Sequence, residues 1–137
     1  SDVCSSDLFV VFPALRTMHV GDMFAWKALP FIDADNGGNA TVHSQSIMKA
    51  VAGVPNIDTV INGHIPVSTI AELKEYAEFS KDFVDFGLAQ MKAGKTADQA
   101  AAAYKVPAKF KGYRASVNEQ FGNPKTNMEL VYKEAKK

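Results

Sequence analysis

Two short stretches carry side chains suited to metal chemistry, and each delivers one of them just after an apolar run breaks at a glycine. The first is Met18-His19-Val20-Gly21-Asp22-Met23-Phe24; the second is Val60-Ile61-Asn62-Gly63-His64-Ile65-Pro66-Val67. Thr17 to Val20 and Ile57 to Ile61 are short, apolar and β-prone, so Asp22 and His64 are expected at strand ends. Gly21 and Gly63 supply the permissive backbone with which a chain leaves a strand abruptly. A rigid sheet can aim a carboxylate and an imidazole at one point, and that pair suits a borderline-soft divalent ion such as zinc. Taken singly, a Gly-Asp or a Gly-His after a strand is more often a plain turn.

Stepping outward from the two ligands, Phe9 to Phe12 reads as a strand, Pro13-Ala14-Leu15 as a turn and Arg16 to Val20 as the returning strand of an antiparallel hairpin. His19 lies three residues before Asp22 and reads as a sheet-packing residue or a support behind the ligands. Pro30 and Asn36-Gly37-Gly38 impose an irregular loop, where Trp26, Phe31 and Asn36 could line a pocket mouth or cap the core. The glycine pair alone makes no phosphate loop, because the fuller patterns are missing. Residues 40 to 54 have helical spacing, with His43 in the first turn facing solvent rather than metal, and Gly53 and Pro55 ending the run. Strand, helix, strand on this spacing is α/β organisation.

Thr69-Ile70-Ala71-Glu72 has the capping-box pattern that opens a long helix. Its apolar stripe from Ile70 to Met91 is widened by Phe79, Phe83 and Phe86, and a stripe this broad requires a cover. Gly94 ends that helix, Thr96 to Gln99 caps a short Ala-rich one, and a last helix is expected over Asn127 to Ala135. Lys109, Lys111 and Arg114 interleave with Phe110 and Tyr113, which reads as a solvated segment rather than a nucleic-acid surface.

The order and spacing of these features over roughly residues 9 to 75 resemble the later half of the metallo-β-lactamase superfamily. In that family a Gly-Asp closes one strand with an Asp that bridges two metals, and a later Gly-His loop gives a terminal ligand. The resemblance therefore implies the C-terminal half of an αββα sandwich with extra C-terminal helices. It assigns Asp22 and His64 as metal ligands, with His19, Trp26 and Asn36 as supporting or pocket residues. It also implies zinc, two ions in a longer parent, and a hydrolase in which metal-bound hydroxide attacks an ester, thioester or lactam-like bond of a small-molecule substrate. No catalytic side chain beyond that water is needed. The family's His-x-His-x-Asp-His cluster is missing from this sequence, so the chain by itself is expected to be inactive. A periplasmic or extracytoplasmic parent follows from the resemblance alone. The competing reading is a small non-enzymatic α/β binding or interaction domain in which both motifs are only turns.

Residues 1–8 resemble the translation of a sequencing adapter, which makes Cys4, the single cysteine, foreign to the natural protein. The expected division is then that tail, a partial metallo-β-lactamase-fold domain over 9–93 and a helical extension over 94–137. With 47% hydrophobic residues, and fifteen Lys and Arg balancing fifteen Asp and Glu, the composition suits one globular domain and opposes a generic polyanion binder. No apolar run is long enough to span a bilayer. Self-association through apolar surface is expected, from the hairpin and from the stripe of the long helix.

Overall fold

The computed structural model describes residues 8–118, 120 and 122–136, so the adapter-like stretch up to Asp7, with Cys4, lies outside the described residues. Four strands, β1 (Val10–Phe12), β2 (Thr17–Gly21), β3 (Thr59–Asn62) and β4 (Ser68–Thr69), form one sheet in that spatial order. Four α-helices accompany them: α1 (Ala40–Gly53), α2 (Ile70–Lys92), α3 (Ala97–Ala103) and α4 (Pro124–Ala135).

The expected hairpin is present, with β1 antiparallel to β2 across a single 3-10 turn at Pro13–Leu15. Arg16 closes the turn in the left-handed region at φ 50°, and its guanidinium grips Asp58 through two hydrogen bonds of 2.5 and 2.8 Å. β2 and β3 run parallel, joined through α1, so their C-terminal ends meet at one edge of the sheet. That edge is where an open α/β sheet characteristically presents ligand-binding residues.

Strand alternation sends Met18, Val20 and Val60 to one face, where all three are fully buried. α1 and α2 cover that face and pack on each other. The opposite face carries Val10, His19 and Ile61 in one cross-strand row and Phe12, Thr17 and Thr59 in the next. Val10 and Phe12 there are 47% and 44% exposed.

The stripe of α2 departs from expectation, for most of it is covered and only Leu88, at 39%, is exposed. Leu73, Tyr76, Phe79, Phe83 and Val84 are all buried. Their cover comes from α1, α4 and the segment after α3, whose Tyr104, Phe110 and Tyr113 belong to the same core. Phe79 sits 4.7 Å from the Tyr113 ring and 5.4 Å from Phe110, and Phe83 sits 4.8 Å from Tyr104. These are ordinary separations for aromatic pairs in a core. The basic-aromatic segment is therefore solvated at Lys109, Lys111, Gly112 and Arg114, while its rings are buried.

Helix ends follow the sequence closely. Thr69 and Glu72 form the expected capping box of α2, and Thr96 and Gln99 form that of α3. α4 begins one turn earlier than expected, because Asn123 caps it and Pro124 takes its first position. Its far end reaches back across the fold: the Glu134 carboxylate accepts hydrogen bonds of 2.9 Å from the backbone N–H groups of both Ala40 and Thr41. A carboxylate poorly placed at the negative pole of its own helix is thus matched to the positive pole of α1.

Candidate functional site

Asp22 and His64 leave the C-terminal ends of the adjacent parallel strands β2 and β3. Asp22 opens a 3-10 turn immediately after Gly21, whose φ of 51° and ψ of −137° suit glycine and strain other residues. The Gly21 N–H donates to Nδ1 of His19 at 3.2 Å, at the place where the β2–β3 register shifts. His19 thus braces the backbone that launches Asp22.

His64 sits in the turn after β3, and the turn is stapled by Asn62. The Asn62 amide donates to the Pro66 carbonyl at 3.2 Å and to Ser68 Oγ at 2.9 Å, and its oxygen accepts from the Ile65 N–H at 3.2 Å. The outcome is convergence: His64 Nε2 lies 3.4 Å from Asp22 Oδ1, with both side chains more than half exposed. Gly63 makes this approach possible. A Cβ at that position would stand 1.9 Å from Asp22 Oδ1. Sequence reading took Gly63 for a turn former and missed that its missing side chain is the space occupied by the carboxylate.

The loop residues named from sequence divide between two sides of the pair. Trp26 lies against His64, with ring centroids 4.9 Å apart. Phe31 and Asn36 stand on the other side, in a cleft of about 470 Å³ that also includes Asp22, Met23, Ile32 and His43. Asn36 donates its amide to Asp33 Oδ2 at 2.8 Å, which fixes the loop wall. A separate groove of about 500 Å³ adjoins Trp26 and is walled by Ile65, Pro66, Val67 and Arg114.

His43 overturns the expectation that it faces solvent. It is only 6% exposed, its ring meets Tyr76 edge-on at 5.8 Å, and its Nδ1 has no hydrogen-bond partner among the described residues. The physical reason is the direction of α1's inner face, which turns Ala40, His43, Ser44 and Ile47 toward the core. Burial pushes the His43 imidazole down to about 4, with the backbone of Met23 offsetting part of the effect.

A pH dependence of stability follows from this. Between the ordinary value of 6.5 and about 4, the unfolded chain takes up a proton that the folded chain refuses. Stability present above 6.5 is therefore lost as pH falls through that window, to a total of about 3 kcal/mol. Denaturant titrations at several pH values between 7 and 4 measure it. His43→Gln is expected to flatten the dependence, and an unchanged slope in that variant would show that another group is responsible.

Among the described residues no group of three or more His, Cys, Asp or Glu side chains could hold a metal ion. Among them, too, no helix is long and apolar enough to cross a membrane.

No family model matches the chain, and no curated protein does either. Solved structures do. The stereoselective inverting sec-alkylsulfatase Pisa1 from Pseudomonas sp. superposes with a TM-score of 0.69 at 20% sequence identity, over 92% of this chain and 21% of that one. A double mutant of the sec-alkylsulfatase PisA1 superposes with a TM-score of 0.66 at 17% identity, over 93% of this chain and 21% of that one. The chain thus spans about a fifth of the length of these neighbours. At such identities the likeness shows the fold alone, the mixed α/β arrangement that this chain shares with part of these sulfatases.

Proposed function

We propose that this chain carries two ligands, Asp22 and His64, of a zinc-dependent hydrolase whose other ligands lie in a longer protein. The observation that carries the reading is the 3.4 Å between Asp22 Oδ1 and His64 Nε2. That separation is long for a charge-assisted hydrogen bond, which runs at about 2.7–2.9 Å. It matches the spacing of two ligands on one tetrahedral zinc, where bonds near 2.1 Å subtend about 3.4 Å. Nitrogen and carboxylate oxygen are also the donors zinc accepts. The fit is that of a partial site, because a catalytic zinc ordinarily has three protein ligands.

When bound, zinc supplies an activated water at neutral pH and polarises the bond to be hydrolysed. The chain's own residues hold and orient. Asp22 and His64 would hold the metal, Trp26 packs on the imidazole, and Asn62 and His19 brace the two turns. The cleft beside Asp22 receives the substrate, with an ester, thioester or lactam-like bond at the Asp22 end. The name of the structural neighbours adds sulfate esters to the bonds to be assayed. In this reading residues 9–93 are part of the hydrolase domain and 94–137 its helical extension. The adapter-like residues 1–8 are foreign, and the parent is extracytoplasmic.

The test compares the 137-residue chain with the longer protein recovered from native DNA. The short chain is expected to bind zinc weakly and without fixed stoichiometry, to show no turnover, and to run larger than a monomer on sizing because Val10 and Phe12 are exposed. The longer protein is expected to hold about two ions and to turn over. Tight stoichiometric zinc with turnover in the short chain would mean that the ligands are misplaced. A longer protein without metal or turnover would favour a non-enzymatic binding domain.

A further inference from the structure

The groove on the far side of Trp26 is not used by the reading above, and its chemistry is specific. Arg114 lines it, is exposed, and has no ion pair or side-chain hydrogen bond among the described residues. The other charges in the wall are committed to each other: Lys27 Nζ donates to Glu72 Oε1 at 2.8 Å, and this contact holds the Glu72 carboxyl below the usual carboxylate range. The groove therefore carries one uncompensated positive charge. Its opposite wall is the apolar run Ile65-Pro66-Val67. Trp26 also lines the groove, and its indole N–H is buried without a partner among the described residues.

Arg114 is held in place by backbone, not by its side chain. Its N–H donates to the Lys27 carbonyl at 3.1 Å, beside an isolated parallel bridge to Ala28, and Gly112 at φ 80° makes the turn just before it. The backbone thus sets Arg114 at the groove wall and leaves its side chain without an ion pair among the described residues. Trp26 joins this groove to the candidate metal site, since the same ring packs on His64.

We infer that this groove binds the anionic end of a small amphiphilic substrate. Arg114 recognises the anion, and Ile65 to Val67 cover a short alkyl body. A guanidinium offers a planar fork of donors that matches a carboxylate or sulfate, and an apolar wall beside it favours a ligand with both characters. The inference rests on the hydrolase reading only in taking the bound anion to be substrate. Binding itself does not require metal.

Trp26 is the single tryptophan in the sequence, so its fluorescence and its indole N–H resonance report on this groove and on the His64 ring it packs against. The experiment titrates hexyl sulfate, hexanoate and 1-hexanol into the metal-free 137-residue chain, each below its micelle concentration. Saturable shifts are expected with the anions and not with the alcohol. Arg114→Gln should weaken anion binding at least about tenfold and Arg114→Lys should recover part of it. Because the backbone contact to Lys27 is kept in both variants, the fold is not at risk. A response to both anions, or to hexyl sulfate alone, supports the site and names its headgroup. Equal shifts with 1-hexanol, or an unchanged affinity in Arg114→Gln, overturn it. The titration is made on the metal-free chain, so failure of the metal reading and failure of this one are separately visible.

Discussion

In the longer hydrolase we propose, Asp22→Ala or His64→Ala is expected to lower turnover at least about 100-fold, with loss of metal. Partners that only orient a ligand commonly cost 10–100-fold in metal affinity or activity when removed. Loss of the ligand itself should reach the top of that range or exceed it. A sharper variant leaves both ligands intact. Gly63→Ala places a methyl group 1.9 Å from the present position of Asp22 Oδ1, so the carboxylate must turn away from His64. Expected is a loss of roughly 10–100-fold in turnover, comparable to removing an orienting partner, with little change in thermal stability. Metal content and turnover of the three variants check this. If all three keep the parent's zinc and rate, the Asp22–His64 pair is a turn contact and the site lies elsewhere.

The second large effect is on folding. Phe79→Ala is expected to destabilise the chain by about 3–5 kcal/mol, the usual cost of emptying a buried phenylalanine site. Phe79 is fully buried on α2 and touches Tyr76, Phe110 and Tyr113, so its removal opens a cavity bounded by large rings that cannot easily collapse. The corresponding drop in Tm is roughly 10 °C or more for a domain of this size. Thermal or denaturant unfolding followed by circular dichroism measures it. A loss below about 1 kcal/mol would mean that the segment from Tyr104 to Tyr113 does not pack on α2 as described. Phe86→Ala offers the contrast, since Phe86 is only partly buried and meets a single ring, Tyr104 at 5.4 Å.

The local features were legible in the sequence because their causes are local. Alternation and β-propensity marked the hairpin, the Thr-x-x-Glu and Thr-x-x-Gln patterns marked the starts of α2 and α3, and the two glycine-broken strands marked Asp22 and His64. Strand, helix, strand marked α/β organisation, while the parallel pairing of β2 with β3 became visible only in the fold. What the sequence could not decide was set by contacts between residues far apart along the chain. The cover of α2 comes from rings more than twenty residues beyond Phe79, so a stripe that reads as unpartnered is in fact mostly closed over. His43 reads as a polar residue in an exposed first turn, yet the angle at which α1 lies on α2 turns it inward against Tyr76. Gly63 carries no sign that the space beside it belongs to a carboxylate forty-one residues earlier. Arg114 reads as one more surface cation, and only the bridge to Lys27 and Ala28 sets it in a groove next to Trp26. Spacing along a chain specifies which residues leave which strand; the packing of helices on the sheet specifies which of them meet.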